Sequence, residues 1–231
     1  MEKASLNSLR KPADGIISRF LNRPVSLAIT RRIADTPVRP NHVSVLTMIL
    51  GISSGLVISK GGYGAGLFGA LLLQIQSMLD GVDGELARLR SQCSRLGQWL
   101  DTVSDDLSEL SFMLGATLAM PAAPFRWLGL LGIISYLIAR GIQYSLLTTV
   151  YGTGDLQAFR WKLGKKDGLG EKLKLLFKHD LFCLLSLVLA LFGRIDLALS
   201  LISTGSVIML ATLLSQLARH GIDPQGIGRK Q

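Results

Sequence analysis

Charge is scarce in this chain: Asp, Glu, Lys and Arg make up 18% of its 231 residues, against 48% hydrophobic residues. A soluble domain carries about 25% charged residues, so too little polar surface remains to solvate a globule. That argues against a cytosolic dinucleotide-binding enzyme and against a disordered tail protein. Cysteine is scarcer still. Cys93 and Cys183 cannot build a disulfide framework, which argues against a secreted scaffold. His42, His179 and His220 stand far apart and read as satisfied interfacial residues, and no His/Cys cluster suits zinc. Internal repeats, low-complexity segments and a Walker-type phosphate loop are absent from the sequence. The first forty residues carry charges throughout, without the apolar core of a cleavable signal peptide.

Long uncharged runs are present instead. Residues 42–59, 61–79, 110–125, 127–139, 181–193 and 197–218 contain no charged side chain, and the fourth run continues past a single Arg140. A helix needs about 20 apolar residues to cross a bilayer. The expectation is an all-α integral membrane protein, a six-transmembrane-helix bundle whose third, fourth and fifth spans take in polar flanking residues.

Of the 25 Lys and Arg residues, 22 fall in segments 1–40, 84–97, 139–178 and 219–231, and Lys60, Arg126 and Arg194 are left for the opposite side. The positive-inside rule then puts both termini in the cytoplasm, with the protein in the cytoplasmic membrane. The net charge of +9 is accounted for by topology and by anionic headgroups, so nucleic acid is not an expected partner. Residues 1–40 read as a cytoplasmic N-terminal segment, 41–220 as the transmembrane domain and 221–231 as a cytoplasmic tail. Within the first segment, Ile16, Phe20, Leu21, Leu27 and Ala28 recur at helical spacing opposite Arg19, Arg23, Arg31 and Arg32, with Pro24 kinking or restarting the helix. This predicts an amphipathic helix in the membrane interface. Pro37 and Pro40 break the chain before the first span, where Asn41 or Ser44 can cap a helix.

The chemistry-bearing residues gather where the second span ends and the third begins. On helices, positions 80, 83, 84, 87 and 88 share one face, and positions 97, 101 and 105 share another. Antiparallel packing of two short-looped helices would bring Asp80, Asp83, Asp101 and Asp105 together near the cytoplasmic end. Four such carboxylates are costly near lipid unless cations neutralise them. Two divalent cations balance four negative charges, and oxygen-only ligands favour Mg²⁺ or Mn²⁺. A paired hard-metal site suits phosphoryl chemistry. Gly84, Ala87 and Gly97 either admit a nucleotide to the backbone or simply allow close helix packing.

The pattern Asp80-x2-Asp83-Gly84-x2-Ala87-Arg88-x8-Gly97-x3-Asp101-x3-Asp105 resembles the full signature of the CDP-alcohol phosphotransferase family. The resemblance covers roughly residues 14–220 and implies a six-helix membrane architecture. It implies transfer of a phospho-alcohol from a CDP-linked donor to an acceptor hydroxyl, forming a phosphodiester and releasing CMP. It further implies that Asp80, Asp83, Asp101 and Asp105 ligate metal, that Asp105 is also the catalytic general base, and that Gly84, Ala87, Arg88 and Gly97 line the CDP site. Pro40-Asn41-His42-Val43-Ser44 resembles the family's stretch near the nucleotide, which adds Asn41 and Ser44. A homodimer is implied by the resemblance alone.

Lys11 to Gly15, Thr36 to Asn41 and Leu79 to Glu85 are similar to members that make di-myo-inositol-phosphate phosphate from CDP-inositol and inositol phosphate. The sequence departs from that branch at Asp106-Leu107-Ser108-Glu109, and it lacks the nucleotidylyltransferase domain often fused there. The resemblance thus leaves the donor open between CDP-diacylglycerol and a CDP-polyol, and implies an alcohol acceptor and a phospholipid or polyol-phosphodiester product.

Other polar residues fall outside the signature. Glu85 and Asp106 lie off the metal-facing rows and read as solvated or paired; Glu109 continues the row of Asp101 and Asp105, as a hydrogen-bond partner or a structural acid. Arg140 either holds an acceptor phosphate from the bundle interior or snorkels to the interface. The basic stretch 160–178 reads as a lipid-facing surface or a contact for a phosphorylated substrate. Trp127 and Trp161 read as interface anchors, Trp99 as packing, and Gly51, Gly55, Gly62, Gly66, Gly129 and Gly132 as helix-packing sites. The competing function is a transporter or cation-binding membrane protein whose acids line an ion path; it calls for acids spread through the bilayer depth.

Overall fold

Helices form all the regular structure among the described residues, as expected of a chain whose backbone polar groups must be satisfied within lipid. The computed structural model describes residues 17–121, 123–151 and 179–220. Expectations for Ile16, the 11–15 entry, the 160–178 basic stretch, Trp161, the His220 side chain and the 221–231 tail lie outside them.

A π-helical turn, Ser18–Asn22, leads into α1, Arg23–Ile33. Pro24 sits in the first turn of α1, where its missing amide costs nothing. Then follow α2, Pro40–Ile58; α3, Gly62–Leu89; α4, Arg95–Ala119; α5, Ala123–Leu146, with a π-helical turn Leu147–Tyr151; α6, His179–Leu191; and α7, Ile195–His220. Gly61 and Gly62 make the α2–α3 turn with φ of 72° and 81°, a region glycine enters without a Cβ penalty. Gly62 therefore serves a turn and has no neighbour to pack against, contrary to the expectation for it.

Four helices, α2, α3, α5 with its π turn, and α7, are long and apolar enough to cross a membrane. The chain is an integral membrane protein. Against the six expected spans, α4 falls short by composition, because Asp101, Asp105, Asp106 and Glu109 lie within its first fifteen residues, and α6 is described as a shorter apolar helix. Outward-facing Leu56, Phe68, Leu118, Ile134 and Leu201 are exposed. Ile58, Leu73, Phe112, Met113 and Leu199 are buried in one apolar core.

The helix α2 packs along both α3 and α4, whereas α3 and α4 touch each other little. The two signature helices are thus wedged apart rather than packed face to face. Small residues set the approach of α2 to α4: a Cβ on Gly55 would lie 2.0 Å from the Ser111 carbonyl oxygen, and one on Gly115 2.1 Å from that of Gly55. Gly51, Gly66, Gly129 and Gly132 are also closely packed, as expected.

The amphipathic reading of residues 17–33 is inverted on one point. Arg23, expected on the outer face, is buried with Asn22, Ser26 and Thr30, while Phe20, Leu21 and Val25 are exposed. The cause lies in α3. Glu85 is fully buried and accepts from Arg23 (2.8 Å), Ser26 (2.7 Å) and Thr30 (2.8 Å). A buried carboxylate must be paired and hydrogen-bonded, and α1 supplies both. Arg90 fixes the chain after α1, donating to the carbonyls of Ile33, Ala34, Thr36 and Val38.

Candidate functional site

The divergence of α3 and α4 leaves an open cleft of about 180 Å³, closed on one side by the start of α2. It is lined by Pro40, Asn41 and Ser44 of α2, by Asp83, Gly84, Ala87 and Arg88 of α3, by Gln92, Cys93 and Ser94 of the connection, and by Gly97, Gln98 and Asp101 of α4. Asn41, Ser44, Gly84, Ala87, Arg88 and Gly97 thus share one cavity with two of the four aspartates. Local capping explains where α4 starts: Ser94 accepts from the Gly97 amide (3.0 Å) at its N-cap.

Neither Asn41 nor Ser44 caps α2, which starts at Pro40 with Arg39 at its N-cap. Ser44 instead donates to Oδ2 of the buried Asp83, with the Pro40 carbonyl a more distant neighbour at 3.4 Å. Asp83 Oδ1 accepts from the Gly84 amide. Thr47 and Ser104 meet at 3.3 Å just behind this contact and continue the polar seam between α2 and α4.

Asp80 lies one turn deeper on α3. Its Oδ1 is buried without a hydrogen-bond donor, and the charges of Asp105, Asp101 and Asp83 all act on it. Among the described residues no three His, Cys, Asp or Glu side chains are drawn into a closed ligand shell, in keeping with the wedge that separates α3 from α4. The chemistry of the donor set fits a hard divalent cation: the charges of Asp83, Asp101 and Asp105 reach Asp80, one Asp80 oxygen lacks a donor, and no soft ligand stands among the four.

Gly84 and Gly97 differ in what they make room for. A Cβ on Gly84 would lie 3.1 Å from Arg88 Nη1, so the glycine lets the guanidinium fold back over its own helix beside the cleft. A Cβ on Gly97 would meet Ser94 Oγ at 3.2 Å and Asn41 Oδ1 at 3.7 Å.

Asp105 Oδ1 accepts from Gln76 Nε2 at 3.3 Å and lies 4.0 Å from His179 Nε2. His179 is therefore not the isolated residue expected from sequence; the first turn of α6 brings it to the base candidate. Its partner in sequence is more than seventy positions away, which is why spacing gave no signal. Gln76 was equally invisible, although it precedes Asp80 by one helical turn on the same face.

Asp106 and Glu109, read as solvated, paired or second partners, are held inside. Asp106 accepts from Tyr136 (2.8 Å) and Tyr144 and pairs with Arg140 (3.0 Å). Glu109 Oε2 lies 3.1 Å from the same Tyr136 hydroxyl. Arg140 faces the interior rather than snorkelling: it donates to Gln143 (2.9 Å), stacks over Tyr136, and keeps Nε buried without a partner. Trp99 packs on Tyr144 with centroids 5.6 Å apart, and Trp127 is exposed at the start of α5. His42 takes a local bond from the Arg39 amide.

Known proteins resemble this chain in sequence and in fold. The chain is 33% identical over 191 residues to a bifunctional IPC transferase and DIPP synthase of Aquifex aeolicus, covering 80% of this chain and 41% of that protein. It is 37% identical over 135 residues to the protein of the same name from Thermococcus kodakarensis, covering 56% and 30%. The chain thus spans less than half the length of these curated relatives. The fold is that of Mycobacterium tuberculosis phosphatidylinositol phosphate synthase. With CDP-DAG bound, that structure gives a TM-score of 0.62 at 18% identity, over 87% of this chain and 98% of that one. Its complex with manganese and citrate gives 0.63 at 18% identity, over 86% and 92%. The family model for CDP-alcohol phosphatidyltransferase matches residues 38–217, and the chain belongs to that family.

Proposed function

We propose that this chain transfers a phospho-alcohol from a CDP-linked donor to an acceptor hydroxyl. The acceptor oxygen bonds to the phosphorus that carries the donor alcohol, the bond from that phosphorus to CMP breaks, and a phosphodiester and CMP result. The observation that carries this reading is the shared cleft: Asn41, Ser44, Gly84, Ala87, Arg88 and Gly97 border it together with Asp83 and Asp101. Asp80, Asp83, Asp101 and Asp105 hold two divalent cations, Mg²⁺ or Mn²⁺. When bound, these cations offset the pyrophosphate charge and the charge growing on the leaving oxygen.

Within this reading each side chain has a task. Gly84, Ala87 and Gly97 keep the walls low for the nucleotide, Arg88 offers its guanidinium to phosphate, and Asn41 and Ser44 close the α2 side. Asp105 takes the proton from the acceptor hydroxyl. Arg140 is assigned to an acceptor phosphate because its pair with Asp106, the chain neighbour of the base, holds its guanidinium on that side of α4.

The finer architecture belongs to the same proposal. Residues 1–40 form a cytoplasmic segment whose helix rests in the interface on exposed Phe20, Leu21 and Val25. Residues 41–220 cross the membrane six times, with α4 and α6 completing the spans, and residues 221–231 are a cytoplasmic tail. Site and termini face the cytoplasm, and the protein works as a homodimer. Its donor is CDP-diacylglycerol or a CDP-polyol. The relatives named as IPC transferase and DIPP synthase favour the polyol. An ion path is disfavoured, because the four acids cluster within the last ten residues of α3 and the first eleven of α4 rather than along the full length of either helix.

The test is CMP release by the purified protein in detergent with Mg²⁺ or Mn²⁺, comparing CDP-diacylglycerol with CDP-inositol over a panel of alcohol acceptors. Metal-dependent turnover with one donor is expected. Asp105→Asn should lower kcat about 10²- to 10⁴-fold with an unchanged melting temperature, and full turnover by that variant would remove Asp105 as the base.

A further inference from the structure

We propose that Gln76 and His179 form a hydrogen-bonded support that fixes the Asp105 carboxylate, which makes both of them positioning residues for the transfer reaction. The inference rests on Asp105 serving as the base. A base works only if one oxygen is aimed at the proton it takes, and a carboxylate on a free χ2 torsion has no preferred aim.

Gln76 is fully buried in α3 and reaches across to α4, where its Nε2 donates to Asp105 Oδ1 at 3.3 Å. An amide can rotate by half a turn and present its oxygen instead, which would repel the carboxylate. The carboxylate, which only accepts, selects the NH2 side of the amide, and this leaves Gln76 Oε1 facing His179 Nε2 at 3.2 Å. An amide oxygen only accepts, so that ring nitrogen carries the proton and donates. Donation then runs one way, from His179 on α6 to Gln76 on α3 to Asp105 on α4. With Oδ1 engaged, the carboxylate no longer turns freely about χ2, so its remaining lone pairs keep one aim for the cation and the acceptor hydroxyl.

His179 is itself held in place. The next residue, Asp180, accepts from the Ser18 backbone amide at 2.7 Å, which ties the start of α6 to the turn before α1. One turn further on, Cys183 Sγ lies 3.4 Å from the same His179 nitrogen. The support thus ties α6, which carries no signature residue, through Gln76 of α3 to the residue the signature ends on. A buried glutamine can also serve only to join two membrane helices, and kinetics separate the two roles.

The experiment uses the full chain in detergent, reading kcat, KM and melting temperature with the CDP donor that the wild-type protein turns over. Gln76→Leu and His179→Leu should each lower kcat about 10- to 100-fold, the usual cost of losing a partner behind a functional carboxylate, with the donor KM unchanged. His179→Gln, which keeps a donor at similar reach, should restore most of the rate. The double Leu variant should be no slower than the slower single one, because the two act in series. Wild-type kcat in both Leu variants, or a His179→Gln variant as slow as His179→Leu at equal melting temperature, would overturn the support. Should the Leu variants not fold, His179→Gln against His179→Asn decides: the longer side chain keeps the rate and the shorter loses it, and equal rates overturn the proposal. Asp105→Asn in the same assay separates the two readings. If it retains turnover, the base assignment fails; if it is inactive while the Leu variants run at full rate, only the support fails.

Discussion

Ser44, on the first turns of α2, donates its hydroxyl to Oδ2 of Asp83 on α3. The bond crosses from a helix that carries no acid to one that carries two of the four signature aspartates, and it is buried. It orients a proposed metal ligand from behind, and it explains why a serine sits there although it does not cap its helix.

The first prediction concerns this contact. Ser44→Ala leaves the buried Asp83 oxygen short of a donor, at a cost of about 1–3 kcal/mol. Because the oxygen is a proposed ligand, the Mn²⁺ concentration for half-maximal CMP release should rise about 10-fold or more. Titration of Mn²⁺ against turnover checks this, and Ser44→Thr, which keeps the hydroxyl, should remain near wild type.

A second prediction addresses the buried Glu85. Its carboxylate meets Arg23, Ser26 and Thr30 in a space closed to water. Breaking a buried pair by removing one partner costs about 3–5 kcal/mol, so Glu85→Ala should melt at clearly lower temperature in detergent. Glu85→Leu combined with Arg23→Met should recover part of the loss, because no uncompensated charge stays behind. A double variant no more stable than Glu85→Ala would show that Ser26 and Thr30, rather than the ion pair, hold α1.

Helix positions and the acid rows were legible because both are periodic: uncharged runs mark α2, α3, α5 and α7, and spacing alone puts Asp80, Asp83 and Gly84 on one face. Contacts across long sequence separations were not. Glu85 gives no sign in the sequence that its partners lie on a helix more than fifty residues earlier, so Arg23 read as an outward-facing charge. His179 and Gln76 meet only because α6 packs on α3. The splay of α3 and α4 was equally hidden, since it depends on α2 filling the space between them, and α2 does so through its own Gly51 and Gly55 and through Gly115 of α4, whose small size is neutral information until the partner helix is known.

A third prediction tests that wedge. At Gly55 an added Cβ would come 2.0 Å from a backbone oxygen of α4, which cannot swing aside. Gly55→Ala should therefore destabilise by about 1–3 kcal/mol through overpacking, and turnover should fall with stability. Gly64, where an added Cβ meets nothing within 4 Å, supplies the control: Gly64→Ala should leave both melting temperature and turnover unchanged.

Gly84 separates packing from recognition. The nearest atom to a Cβ there is the far end of the Arg88 side chain, 3.1 Å away, and not backbone. A flexible guanidinium can yield, so Gly84→Ala should fold and melt as the wild type does. The displaced Arg88 should then lose its aim into the cleft, where Gly84 and Arg88 both line the wall. A charge-assisted hydrogen bond is worth about 1.5–3 kcal/mol, and 1.4 kcal/mol is tenfold in affinity, so the donor KM should rise about 10-fold or more, with CDP itself weakened in competition assays by a similar factor. Arg88→Lys should show the same defect without the steric change, because a lysine cannot present two parallel donors to phosphate. If Gly84→Ala raised the donor KM while Arg88→Lys did not, the nucleotide would be touching the Gly84 backbone directly, and the small residue rather than the arginine would set the fit.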